Sequence, residues 1–226
     1  MERAFIFDVF GTCVDWRSSV ARDVAIALPE VDAVAFADAW RGEYQPAMER
    51  IRSGSRGYVS LDQLHRENLN HVAARFGVTV ANPDWLTRTW ERLDPWPDVV
   101  TGLRALQSSG LIAPCSNGSI ALMARLARYA EFPWDAILGA EIAEAYKPDP
   151  AVYRAAVRAL GLAPEMVCMV AAHNDDLAAA QAAGLQTAFV ARPTEHGPAQ
   201  VTDLEPAEDW DFVAPDFVAL AKRIAG

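Results

Sequence analysis

Ala4-Phe5-Ile6-Phe7-Asp8-Val9-Phe10-Gly11-Thr12 decides how this chain of 226 residues folds. Four consecutive apolar residues without polar alternation suit a strand buried on both faces, and Asp8 followed by Gly11 ends it in a loop. Three later segments repeat the pattern. They are Leu111-Ile112-Ala113-Pro114-Cys115 before Ser116-Asn117-Gly118, Met166-Val167-Cys168-Met169-Val170 before Ala171-Ala172-His173-Asn174-Asp175-Asp176, and Thr187-Ala188-Phe189-Val190. Between them, Val99, Leu103 and Leu106, then Leu122, Leu126 and Tyr129, recur at helical spacing. Strands alternating with helices predict an α/β core, a parallel sheet covered on both faces.

Residues 17–93 break that rhythm and read as helix after helix: Val20 to Leu28, Val34 to Ile51, Leu61 to Phe76 and Trp85 to Leu93. Ser60 stands where an N-cap belongs, and Pro83, Pro95 and Pro97 punctuate the end of the stretch. The simplest reading is a helical cap, residues 17–93, inserted after the first strand of a core made of residues 1–16 and 94–226. Ligands of an open parallel sheet bind outside the carboxyl ends of its strands. Asp8, Ser116-Asn117, Lys147 and His173 to Asp176 all belong to that edge, where the insert would sit as a lid that excludes water.

With 52% apolar and 22% charged residues the chain has ample material for a core. A net charge of −10 without a Lys/Arg run argues against nucleic acid. A small anion stays open as a partner, because one or two buried cations hold it against a negative global field. Cys13, Cys115 and Cys168 are odd in number and set in apolar stretches, which reads as reduced thiols in a cytoplasmic protein. The apolar run ending at Asp8 is too short for a signal-peptide core or a membrane span, so neither export nor a membrane is expected.

Asp8-Val9-Phe10-Gly11-Thr12, Ser116-Asn117-Gly118, Lys147-Pro148-Asp149-Pro150 and Asp175-Asp176 together resemble the four motifs of the haloacid dehalogenase superfamily. Asp8 alone after a strand reads as a turn or capping residue, and Ser116-Asn117-Gly118 alone as a strand-to-helix cap. Their order and spacing make the match. The first motif, with Tyr153 six residues after Lys147, resembles the L-2-haloacid dehalogenase branch. That resemblance implies a Rossmann-like core, a helical cap, a covalent aspartyl ester, no metal, no cofactor and a homodimer as a common state.

The residue two places after the nucleophile discriminates within the superfamily. Its phosphatases carry a second Asp there to protonate a departing alkoxide, a group whose loss costs about 10²–10⁴-fold in rate. Here the position is Phe10. A halide leaves without a proton, so Phe10 fits carbon–halogen cleavage and disfavours phosphate esters. On this reading Asp8 attacks the carbon bearing the halogen of a small halogenated carboxylic acid, an (S)-2-haloalkanoic acid by analogy, and water then releases the (R)-2-hydroxy acid.

The resemblance assigns the other positions. Lys147 is the cation that holds the Asp8 pKa down, with Thr12 and Ser116 as hydroxyl donors. The amides of Val9 and Phe10, with Ser116 and Asn117, hold the substrate carboxylate. Arg41 aligns with the cap arginine that receives the halide, and Tyr153 lies near the substrate or packs in the core. Asp176 orients Lys147 or the hydrolytic water, while Asp175 is also a candidate cap of the next helix. The chain departs from the usual pattern where many members have Ser and Asn and it has Ala171 and His173. His173 stands open between donating to the halide, assisting ester hydrolysis and neither.

Two alternatives remain. A Mg²⁺-dependent small-molecule phosphatase would join Asp175 and Asp176 to Asp8 as oxygen ligands, with Phe10 against it. A catalytically inactive small-molecule binding protein is suggested by Ala171 and opposed by Asp8, Lys147 and Asp176.

Overall fold

The computed structural model describes residues 3–226. Six strands form one parallel sheet: β1 (Ala4–Phe7), β4 (Leu111–Ser116), β5 (Leu138–Gly139), β6 (Val167–Ala171), β7 (Gln186–Val190) and β8 (Phe212–Ala214), in the spatial order β5-β4-β1-β6-β7-β8. The chain lays β4 and β5 on one side of β1, then returns to lay β6, β7 and β8 on the other. The crevice between β1 and β6 is therefore the switch point where such sheets bind ligands. Residues on both faces of β1 are buried, which is why it reads as an unbroken apolar run.

Two further strands, β2 (Val14–Asp15) and β3 (Asp94–Pro95), pair antiparallel and bracket the helical insert. Between them lie α1 (Trp16–Ala27), α2 (Ala33–Gly42), α3 (Tyr44–Arg52), α4 (Leu61–Phe76), α5 (Pro83–Thr87) and a 3-10 turn over Arg88–Glu91. The helix expected from Val34 to Ile51 is two helices. Pro46 has no amide to donate to Gly42 and its ring crowds that carbonyl, so the chain breaks at Glu43 and restarts. Pro83 opens α5 rather than closing the insert, in the first turn behind Asn82, whose Oδ1 accepts from the amide of Trp85 at 3.0 Å. Ser60 does occupy the N-cap of α4, but its side chain makes no capping bond.

The remaining helices, α6 (Val99–Gln107), α7 (Ile120–Ala130), α8 (Ala140–Ala143), α9 (Pro150–Leu160), α10 (Asn174–Ala182) and α11 (Phe217–Ala225), cover the sheet. Leu122 and Leu126 are buried as their spacing predicts, whereas Tyr129 lies 44% exposed and donates to Asp94. The three cysteines are free and buried. Among the described residues no helix is long and apolar enough to cross a membrane.

One buried ion pair ties the first loop to the rest of the core. Arg192, after β7, is paired in two places with Asp98 at 2.9 Å each, and its Nε donates to the Thr12 carbonyl at 2.9 Å. Asp98 also accepts from the amide of Phe217 at 2.8 Å. An Asp98→Ala substitution strands a buried guanidinium and should cost about 3–5 kcal/mol, measured by urea denaturation. An unchanged midpoint would show that the clamp contributes nothing.

Candidate active site

The carboxyl ends of the strands deliver the polar residues to one place. Asp8 follows β1, Asn117 follows β4, His173 and Asp176 follow β6, and Lys147 precedes α9. They line a cavity of about 820 Å³ that Arg41 and Tyr44 of the insert also line.

Asp8 is almost wholly buried and each of its oxygens is held. Lys147 Nζ donates to Oδ1 at 2.9 Å; Thr12 Oγ1 donates to Oδ2 at 2.7 Å, and His173 Nδ1 stands 3.2 Å from the same Oδ2. Thr12 Oγ1 in turn accepts from the amide of Ala172 at 2.9 Å. Burial alone would raise the Asp8 pKa, but the charges and hydrogen bonds of Lys147 and His173 more than offset it and hold the carboxyl below the usual range. The group is therefore an ionised carboxylate at neutral pH. Lys147 also bonds Asp176, whose other oxygen accepts from Tyr153 at 2.5 Å. Burial works against the Lys147 ammonium, yet the two carboxylates raise its pKa and keep it charged.

Several expectations need correction. Val9, Ser116 and Tyr153 do not line the cavity. Tyr153 is fully buried with its hydroxyl committed to Asp176, so it positions that carboxylate rather than touching a ligand. Ser116 is also fully buried, and its Oγ accepts from the amide of Gly118 at 3.2 Å. The Val9 side chain is core; its amide and that of Phe10 donate to no protein acceptor among the described residues. Asp175 is not the N-cap of α10, which is His173; instead its Oδ1 accepts from the amide of Asp176 at 2.8 Å.

Phe10 lines the cavity beside Asp8 with its ring edge-on to Trp90 and Tyr44. Arg41 stacks over Tyr44, 4.0 Å from its centroid, and its Nη1 is buried without a hydrogen-bond partner among the described residues. An unpaired buried donor on a permanent cation is equipped to receive an anion. Asn117 lines the wall with its Oδ1 accepting from the amide of Lys147 at 2.8 Å, so its Nδ2 is the group with donors to spare. Among the described residues no three His, Cys, Asp or Glu side chains converge as a metal site. The ammonium of Lys147 is the cation between Asp8 and Asp176.

Residues 2–184 match the haloacid dehalogenase-like hydrolase family. The chain is a haloacid dehalogenase-like hydrolase. It is 48% identical to the defluorinating L-2-haloacid dehalogenase Rha0230, with a TM-score of 0.96 over 100% of this chain and 96% of that one. It is 29% identical to (S)-2-haloacid dehalogenase 4A of Burkholderia cepacia over 97% of this chain and 98% of that one. Phosphoglycolate phosphatase of Cereibacter sphaeroides is 30% identical over 85% of this chain and 87% of that one. The first two of these relatives are 2-haloacid dehalogenases and the third is a phosphatase.

Sequence reasoning missed Glu195 and Trp16. Glu195 is 2% exposed; its Oε2 lies 2.8 Å from His173 Nε2 and its Oε1 accepts from Trp16 Nε1 at 3.0 Å. The signal was present in the polar residues that follow the β7 run, the same place after a strand that singled out Asp8. Glu195 also explains Gly11, which has a φ of +92° and where an added Cβ would fall 2.0 Å from Glu195 Oε1. Gly11→Ala in this hydrolase should displace Glu195 and the Asp8 loop together. Turnover is expected to fall at least about 10²-fold, the effect of roughly 1 Å of misplacement, in steady-state assays. Unaltered turnover would show that the close approach is dispensable.

Proposed function

We propose that this hydrolase converts (S)-2-haloalkanoic acids to (R)-2-hydroxy acids through a covalent ester on Asp8. The observation that carries the reading is Phe10, an aromatic ring in the cavity wall where a phosphatase needs a proton donor. The 48% identical relative is an L-2-haloacid dehalogenase, which supports the same choice.

Asp8 attacks the carbon bearing the halogen from the face opposite the leaving group, which inverts that centre. The halide departs toward Arg41, whose buried Nη1 has a donor to give. The substrate carboxylate takes Asn117 Nδ2 and the unpartnered amide of Phe10, both on the cavity wall. Phe10, Tyr44 and Trp16 provide apolar surface, so the nucleophile and the halide separate in a poorly hydrated space. Water then attacks the Asp8 carbonyl carbon, with Asp176 next to Lys147 as the carboxylate that orients it. The scheme calls on no cofactor. The three free buried thiols support a reducing, cytoplasmic setting.

Halide release from (S)- and (R)-2-chloropropionate, with and without chelator, tests the proposal. The (S) acid is expected to release chloride at a rate the chelator leaves unchanged, the (R) acid to be inert, and Asp8→Asn to be inactive. Chelator-sensitive hydrolysis of a phosphate ester without halide release would establish the phosphatase instead.

A further inference from the structure

Asp8 has two oxygens with different partners, and the difference assigns them to different parts of the reaction. Oδ1 meets only Lys147 Nζ, at 2.9 Å. Oδ2 meets the Thr12 hydroxyl at 2.7 Å and His173 Nδ1 at 3.2 Å. The oxygen with fewer donors is the freer to attack carbon. Once Oδ1 is bonded to the substrate, Oδ2 is the carbonyl oxygen of the ester, and it already sits between two donors. Preorganised donors at that atom are an oxyanion hole for ester hydrolysis.

A carboxylate oxygen faces each nitrogen of the His173 ring, and because a carboxylate only accepts, the ring donates to both Asp8 and Glu195 only as the imidazolium. Glu195 Oε2 lies 2.8 Å from Nε2, and Glu195 is itself fixed by the Trp16 indole at 3.0 Å. The charged groups that face this pair are Asp8 and Glu195 on the two sides of the ring, His196 at 3.6 Å from Glu195 Oε1, and Arg41 through its charge on Glu195. Burial disfavours the imidazolium, but the two flanking carboxylates raise its pKa well above the ordinary histidine value.

We propose that Glu195 is a positioning residue that holds His173 as the charged donor of an oxyanion hole on Asp8 Oδ2, dedicated to hydrolysis of the ester. The proposal rests on the dehalogenase reading above and deepens it. Charge gives the device its selectivity between the two steps. While Asp8 is ionised, His173 and Lys147 share its negative charge. Forming the ester removes that charge and leaves both cations undercompensated. Water then adds to the Asp8 carbonyl carbon, and the carbonyl pair moves onto Oδ2, which restores the anion between Thr12 and His173. The interaction is thus stronger in the transition state than in the ester. Collapse breaks the bond between that carbon and Oδ1, which leaves with the product as its hydroxyl and takes one proton from water. The other proton is released as Asp8 returns to its carboxylate.

Glu195→Gln and His173→Ala, mixed with (S)-2-chloropropionate in quenched flow, separate the steps. Chloride is followed through the first turnover, and the covalent ester by intact-protein mass spectrometry. In both variants a chloride burst of one equivalent is expected to precede a steady state slowed roughly 10²–10³-fold, with ester accumulating beyond the wild-type level. The burst also certifies a folded site; if one variant lacks it because it does not fold, the other carries the test. In Glu195→Gln the histidine pKa drops, so the protonated donor is lost at lower pH than in the wild type. Moving from about pH 8 to about pH 6 should restore hydrolysis in Glu195→Gln and not in His173→Ala. Ester hydrolysis at the wild-type rate in either folded variant, or a burst that falls in step with turnover, overturns the proposal. No chloride from the wild type with any haloacid contradicts the dehalogenase reading itself.

Discussion

The ammonium of Lys147 stands between Asp8 and Asp176, and all three groups are withdrawn from water. A buried carboxylate without a partner costs several kcal/mol, and two side by side would not both stay ionised. Lys147 lies between them: with His173 it holds the Asp8 pKa down, while burial, offset in part by Lys147, leaves that of Asp176 raised. The sheet makes the arrangement possible, since β1 delivers Asp8, the β6–α10 connection delivers Asp176, and Asn117 at the end of β4 fixes the backbone of Lys147. Strand register and site register are thus the same constraint, and the buried charges sit at the sheet edge where the proposed chemistry would take place.

The helical insert gives that chemistry its character. It brings Arg41 and Tyr44 over the carboxylates and supplies Trp90 and Tyr44 as the ring against which Phe10 packs. Phe10, Tyr44 and Trp16 give the cavity its apolar surface, and the Arg41 guanidinium, with a buried Nη1 that has no hydrogen-bond partner among the described residues, lies on the same wall. Trp16, the first residue of α1, donates to Glu195 after β7. The start of α1 is therefore tied, through Glu195, to the same histidine that faces Asp8.

Much of this was legible in the sequence, for reasons that also explain what was not. β1, β4, β6 and β7 are covered on both faces and so appear as uninterrupted apolar runs. β5 and β8 have two and three residues, and the β2/β3 pair two each, too short for any pattern to register. α11 does carry the spacing Phe217, Leu220, Ala221 and Ile224, a helical signal the strand-centred reading passed over. Asp8, Lys147, Asp176, Thr12 and Asn117 stood out in the sequence because they lie in short motifs that recur in one order, and the fold links them by hydrogen bonds through Asp8 and Lys147. Tyr153 and Ser116 were assigned to substrate because motif order cannot tell a wall from what stands behind it. Glu195 belongs to no motif, and it is tied to the site by a contact spanning 179 residues from Trp16 that only folding creates. His173 was open in the sequence, and its two flanking carboxylates give it a partner on each ring nitrogen.

The central claim is that Asp8 forms an ester which water cleaves at the Asp8 carbonyl carbon. A single turnover of (S)-2-chloropropionate in ¹⁸O water, followed by peptide mass spectrometry, tests it most directly. The account predicts one ¹⁸O atom in the Asp8 carboxylate and none in the hydroxyl group of the first product formed. Label in the product hydroxyl and none in Asp8, with chloride released, would mean that water attacks the substrate carbon itself and would contradict the account.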